Sequence, residues 1–292
     1  MQRLYLILAA LCYKTLQSMR RKNREHVPSL AVFADDDLGL RISLFGEFET
    51  EILTYLRNKF SQNMKDKCLI DVGANIGNHT LGLRSHFSTI HAFEPNPRTY
   101  RLLVANTATF DNITCHQLAV SNKSRSVSFV SDPVNTGRSH VSDKDFSSRE
   151  RNETSPIEVK AVALDETELK GKAIGFLKID VEGHELEVLR GAEAILRQQR
   201  PMVMIELLAT DIYNNRSESL DYLAECGYTS FSSIAPVSLK IYAISNIPVL
   251  RWCNHLIWVF ETILFGSRRA QSLPININKL ASKNYEAILV KQ

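Results

Sequence analysis

Cysteine is scarce in this chain and poorly placed for building structure. Five occur in 292 residues, at Cys12, Cys68, Cys115, Cys226 and Cys253, and no two form a CxxC pair. An odd, widely spaced set excludes a disulfide framework and a zinc-ligand pattern. A reducing, cytoplasmic setting is the simpler reading. Long apolar runs are also missing from the N-terminal region. The first, Leu4 to Tyr13, is about ten residues, and a spanning helix needs roughly 20. Cys12-Tyr13-Lys14 closes that run where a signal peptide would carry small residues. Charge of one sign is not in excess either. The 35 basic residues face 32 acidic ones, a net +3, too little to argue for nucleic acid. Nor is there an Asn-Pro-Pro-Tyr-like motif of the kind nucleic-acid methylating enzymes use.

What is present describes a globular protein. Hydrophobic residues make up 44% and charged residues 23%, enough for a sizeable core without metal or disulfide support. The basic excess is local. Residues 1–26 hold six bases against Glu25, which leaves the remaining chain at a net −2. Residues 1–24 read as a helix with a basic second half, either a capping helix or one that touches a membrane surface. Short strands are expected within 30–48, and an amphipathic helix over Glu51 to Phe60.

From Cys68 onward apolar runs alternate with helical patterns. Strands are expected at Cys68–Val72, Thr89–Phe93, Ile113–Val120, Val127–Val130, Ile157–Leu164, Gly175–Val181, Pro201–Leu207, Tyr228–Ser232 and Tyr285–Lys291. Helices are expected at Arg98–Thr109, His184–Gln199 and near Ser217–Cys226, and residues 131–156 read as a long polar loop. Such alternation predicts an α/β fold, a mostly parallel sheet with helices on both faces.

Three motifs carry chemistry. Asp71-Val-Gly73-Ala-Asn75-Ile-Gly77-Asn-His-Thr80 follows a strand and opens a helix, so its backbone can turn sharply and approach a ligand. Asn75 and Asn78 stand where a dinucleotide fingerprint needs glycine, which disfavours a nicotinamide-dependent oxidoreductase. Glu94 ends the next strand and can accept both hydroxyls of a ribose. No Walker-type lysine follows the loop, so the pattern fits a nucleoside without a triphosphate, as in S-adenosylmethionine. Third, Asp180, Glu182, His184 and Glu185 cluster past the carboxyl end of a strand, where open α/β sheets place ligands and chemistry. His79, just after the loop, either bonds the loop backbone or contacts substrate.

These stretches together resemble the FkbM-type family of S-adenosylmethionine-dependent methyltransferases. The resemblance rests on Ile70-Asp-Val-Gly-Ala-Asn-Ile-Gly77, Ala92-Phe-Glu-Pro-Asn-Pro97, Leu118-Ala-Val120, Val162-Ala-Leu-Asp165, Leu177-Lys-Ile-Asp-Val-Glu-Gly183, Glu187-Val-Leu-Arg-Gly-Ala192 and Val203-Met-Ile-Glu-Leu207, in order over roughly residues 47–231. Asn135-Thr-Gly137-Arg-Ser139 also looks like the family's polar loop. The resemblance implies a Rossmann-like class I fold with a seven-stranded sheet whose last strand runs antiparallel. It implies that Gly73, Asn75 and Gly77 border the methionine end of the cofactor and that Glu94 holds the ribose. Asp71 would act near the cofactor's amino group, and Ala74, Asn78, Pro95 and Ala119 would complete the cofactor contacts.

The expected organisation is a helical extension and cap over residues 1–60, then a methyltransferase domain over 61–292 with a helical insertion at about 240–280. The expected reaction is O-methylation of a hydroxyl on a sugar, glycan or secondary metabolite. The alternative is a non-catalytic module that binds S-adenosylmethionine or a protein partner. Asp180, His184 and Glu182 are the catalytic candidates: His184 titrates nearest neutrality, Asp180 has the better position, and Glu182 can orient substrate. Asp180 and Glu206 end adjacent strands and are placed to share a divalent ion, but such pairs are common without one, and no metal ligand is assigned.

Val249 to Phe265 presents a wide apolar face if helical, and Arg268 and Arg269 follow it. Three fates are open to it: packing on the body, pairing in a homodimer, or lying in a membrane surface. The last would give peripheral contact at the inner face of the membrane, sensitive to salt.

Overall fold

The computed structural model describes Lys14 and residues 29–34, 36–60, 64–130, 140–142, 156–236, 270–281 and 283–291. The N-terminal helix, the segment Asn135 to Ser139 and the helix expected over 249–265 lie outside the described residues.

Helix α1, Asp37–Phe45, replaces the short strands expected there. Leu38, Ile42 and Phe45 recur at helical spacing, and Ile42 and Leu38 join an apolar cluster with Leu30, Ile76 and Leu81. Gly46, left-handed at φ 91°, ends the helix by donating its N–H to the Ile42 carbonyl at 2.8 Å. Helix α2, Thr50–Lys59, buries Ile52, Leu53 and Leu56.

The central elements follow the expected alternation: β1 Cys68–Val72, α3 Asn78–Leu83, β2 Thr89–Phe93, α4 Pro97–Thr107 and β3 Ile113–His116. Next come β4 Ala119–Val120, β5 Arg125–Val130, β6 His140–Ser142 and β7 Ile157–Val162. The single strand expected over Ile113–Val120 therefore breaks at Gln117-Leu118, because its halves join different sheets. Part of the expected polar loop is strand: β6 pairs antiparallel with β5.

The chain then returns through β8 Ile174–Ile179, α5 Glu185–Arg190, α6 Glu193–Gln198, β9 Met202–Leu207 and α7 Glu218–Glu225. The helix expected over His184–Gln199 is two helices. The backbone at Gly191 runs against the Ser121 carbonyl, where a Cβ would sit 2.0 Å from the oxygen. Asp165 then caps the second helix, accepting N–H bonds from Ala194 at 2.6 Å and Ile195 at 3.0 Å. The last strands are β10 Ser230–Pro236, β11 Ala270–Pro274 and β12 Tyr285–Lys291. Residues 270–274 are thus extended, not part of a helical insertion.

Among the described residues the main sheet has the order β11-β10-β12-β9-β8-β1-β2-β3, and β4-β7-β5-β6 form a second sheet. β12 is antiparallel to both neighbours, as expected, and β11 adds an eighth strand at the edge. All residues of β1 and β8 are buried, since helices cover both faces. Alternation sends Leu69 and Phe176 to one side with α2, Phe60 and Phe87, and Ile70 and Leu177 to the other with α5, α6 and α7. From β1 the chain moves outward to β2 and β3, then crosses back to β8 on the other side of β1. That reversal opens a crevice at the carboxyl ends of β1 and β8, and the motifs meet there.

Candidate functional site

Beyond Val72 the glycine loop holds three left-handed residues: Gly73 at φ 75°, Asn75 at φ 50° and Gly77 at φ 94°. Gly73 is required twice over, because a Cβ there would also lie 1.8 Å from the Asp180 carbonyl oxygen. The loop folds over the end of β2: Gly73 and Ala74 donate N–H bonds to the Phe93 carbonyl at 3.0 and 2.9 Å. Glu94 completes the fastening. Its Oε2 accepts from Asn75 N at 3.0 Å and its Oε1 from Asn96 N at 2.8 Å. Burial pushes the Glu94 carboxyl up to about 7 despite those two donors. Each carboxylate oxygen retains a second lone pair.

A charged ladder supports the other wall. Lys178, in the middle of buried β8, places its Nζ 3.0 Å from Asp180 Oδ2, 3.4 Å from Asp71 Oδ1 and 2.9 Å from the Gly73 carbonyl oxygen. Burial would lower the lysine's pKa, but the two carboxylates outweigh it and the ammonium is held charged. Asp71 is fully buried and also accepts the Thr80 hydroxyl at 2.5 Å. Burial opposes ionisation of Asp180 too, yet Lys178 and a hydrogen bond with Glu206 hold it below the usual carboxylate range. Burial and the Asp180 anion push Glu206 up to about 11, so the pair shares one proton at neutral pH.

Past Asp180 the backbone turns through left-handed Glu182 at φ 56° and Gly183 at φ 97°. Buried Glu185 reaches back to accept from Val181 N at 3.3 Å and Gly183 N at 3.1 Å. Its carboxyl is pushed up to about 7 by burial. His184 is buried, with Nε2 3.0 Å from the Ser121 hydroxyl.

A cleft open to solvent runs between these walls. Of the expected cofactor residues Gly73, Asn75, Glu94, Pro95 and Ala119 line it, as do the catalytic candidates Asp180, Glu182 and His184. Asp71, Ala74, Gly77 and Asn78 do not. Asp71 belongs instead to the Lys178 ladder beneath the loop. Asn78 faces Phe48, accepting its N–H and donating to its carbonyl oxygen, both at 2.9 Å. His184 is tied to Ser121, as Asp180 is to Lys178 and Glu206.

Lys178 was not singled out from the sequence, although a lysine inside a six-residue apolar strand is a visible signal of a buried partner. Phe129 and Val141, which face each other across β5 and β6 and line the cleft, had no local signal. Asp180, Glu182 and Glu206 each offer one oxygen within 4.8 Å of the others. Lys178 stands 3.0 Å from Asp180, one of these three. Among the described residues no helix is long and apolar enough to cross a membrane.

Known proteins are similar to this chain in sequence. Hexuronic acid methyltransferase AglP of Haloferax volcanii is 32% identical over 148 residues, covering 50% of this chain and 57% of that protein. Methyltransferase 1 of Beauveria bassiana is 30% identical over 147 residues, covering 44% of this chain and 59% of that protein. The chain thus spans less than two thirds of the length of either relative. A crystal structure of methyltransferase FkbM from Methylobacillus flagellatus superposes with a TM-score of 0.42 at 20% identity, covering 75% of this chain and 54% of that one. The model of the methyltransferase FkbM domain matches residues 71–230, more than half of the chain, and the chain belongs to that family.

Proposed function

We propose that the protein transfers the methyl group of S-adenosylmethionine to a hydroxyl on a sugar or glycan. The observation that carries this reading is Glu94, fastened by two loop N–H groups at the cleft, with anionic Asp180 lining the same cleft. The residues fit the cofactor: Glu94 has lone pairs for two ribose hydroxyls, and Gly73 and Asn75 let ligand atoms approach the main chain. When bound, S-adenosylmethionine supplies an electrophilic methyl on a sulfonium. The family supports methyl transfer, and the hexuronic acid methyltransferase relative supports a sugar acceptor.

Transfer is an in-line displacement in which an O–C bond forms as the C–S bond breaks, and alignment supplies much of the rate. The chain's own task is to take the hydroxyl proton as the oxygen loses electron density. Asp180 is our candidate for that task. Lys178 keeps it ionised, and protonated Glu206 donates to it and fixes its orientation. Asp180→Asn is expected to lower turnover by about 10²–10⁴-fold while leaving affinity for S-adenosylhomocysteine within about threefold. Single-turnover transfer of labelled methyl, with calorimetry on the same variant, separates the two. Equal turnover in variant and wild type would remove Asp180 from the reaction.

Cofactor affinity is also expected to depend on pH through Glu94. Its folded carboxyl titrates near 7, above the ordinary 4.5. Below that point a proton occupies a lone pair that a ribose hydroxyl would use. Affinity is therefore complete at alkaline pH and declines as pH falls, by about tenfold between pH 8 and pH 6. Glu94→Gln is expected to flatten that profile in calorimetry with S-adenosylhomocysteine.

A further inference from the structure

Glu49 occupies a left-handed backbone conformation, φ 53° and ψ 43°, immediately before α2. Non-glycine residues held there concentrate at functional sites. The conformation is imposed by a strap. Phe48 is clamped to Asn78 by the two reciprocal bonds described above, and Glu47 pairs with Arg57, whose Nε donates to the Gly82 carbonyl at 2.9 Å. Residues 47–49 are thereby fixed against α3, the helix that follows the glycine loop. The Glu49 side chain is 18% exposed, with Oε2 lying 3.3 Å from His79 Nε2.

His79 is the second observation. Its side chain is 8% exposed, and no group donates to or accepts from Nε2 in hydrogen-bonding geometry among the described residues. Burial, with Lys178 nearby, lowers its pKa to about 4, so the ring beside Glu49 is neutral. His79 stands in the first turn of α3, past the carboxyl end of β1, so Glu49 beside it lies at the same edge of the sheet as Asp180, which follows β8, the parallel neighbour of β1. A polar imidazole buried without a hydrogen bond at Nε2 thus stands beside a strapped carboxylate.

We propose that Glu49, set beside His79 by the strap, is an acceptor-positioning residue whose carboxylate receives hydroxyl groups of a sugar and turns one of them toward Asp180. This inference rests on the methyl-transfer reading above. A carboxylate accepts from two vicinal hydroxyls at once, and polyhydroxylated acceptors offer such pairs. Glu49 takes no proton in the reaction; the proton released from the acceptor passes to Asp180.

The test uses methyl β-glucopyranoside and methyl β-glucuronide as acceptor probes with labelled S-adenosylmethionine. In Glu49→Gln the acceptor KM is expected to rise about tenfold or more, with kcat within about threefold. Affinity for S-adenosylhomocysteine and the melting temperature should match wild type. Glu49→Asp should recover part of the KM, and His79→Asn should raise it in the same direction. Unchanged KM in Glu49→Gln, or a fall in kcat alone, overturns the assignment. Wild-type protein that binds S-adenosylhomocysteine but methylates neither probe overturns the sugar-hydroxyl acceptor. Wild-type protein that does not bind S-adenosylhomocysteine fails the methyl-transfer reading itself, a result distinct from the others.

Discussion

Lys178→Met is expected to lose about 3–5 kcal/mol of folding stability, because it removes one partner of a buried charge network and strands the other. Asp71 is fully buried, and Lys178 is the cation beside it. Methionine fills similar volume, so the loss would not come from a cavity. Asp180 is 34% exposed and can be hydrated when the ammonium is gone, whereas Asp71 cannot. The double variant Lys178→Met with Asp71→Asn should therefore recover most of the loss, since the neutral amide still accepts the Thr80 hydroxyl. Urea unfolding of the two variants measures both terms. An unchanged midpoint in Lys178→Met would remove the ladder's role in stability. The same variant should also weaken cofactor binding, because Nζ no longer holds the Gly73 carbonyl and the loop loses one fastening.

Glu94→Ala is expected to cost cofactor affinity about 1.5–3 kcal/mol, roughly ten- to a hundredfold, from the loss of charge-assisted bonds to the ribose. The loop should suffer as well. Asn75 N and Asn96 N both donate to the carboxylate, and alanine leaves both without it. Glutamine does not repair this, since its amide offers one acceptor oxygen while its NH₂ would face the second donor. Calorimetry with S-adenosylhomocysteine should rank wild type above Glu94→Gln and Glu94→Ala. Wild-type affinity in Glu94→Ala would remove the ribose assignment and with it the main support for the nucleoside site.

Much of this was legible in the chain. Strand β1 reads from Cys68–Val72 because a parallel strand buried on both faces is a near-continuous apolar run. The loop after it reads from Gly73 and Gly77 because only glycine takes those φ values easily. Glu94 and Asp180 were legible as carboxylates ending strands, a position with few structural uses. Elsewhere local pattern misled. Leu38, Ile42 and Phe45 fit a helix, but the acidic run around Asp36 broke the apparent periodicity. The helix after His184 looked continuous because its apolar residues stay in phase across Gly191, and nothing local reports that Ser121 lies against that glycine.

The sequence by itself determined the α/β class, the glycine loop and the carboxylates at the strand ends. Each of these depends on a local pattern of burial or on the allowed φ of a few neighbouring residues. Only the tertiary structure decided what those carboxylates do. Asp71 supports the loop and Asp180 lines the cleft because Lys178 stands between them, and Glu206 is protonated because the parallel pairing of β9 with β8 sets it beside an anion. Glu49 came to lie beside His79 through the clamp of Phe48 on Asn78, far from it along the chain. The protonation and role of a carboxylate depend on the dielectric around it and on charges within a few ångströms. Those neighbours come from distant segments, so local spacing cannot specify them.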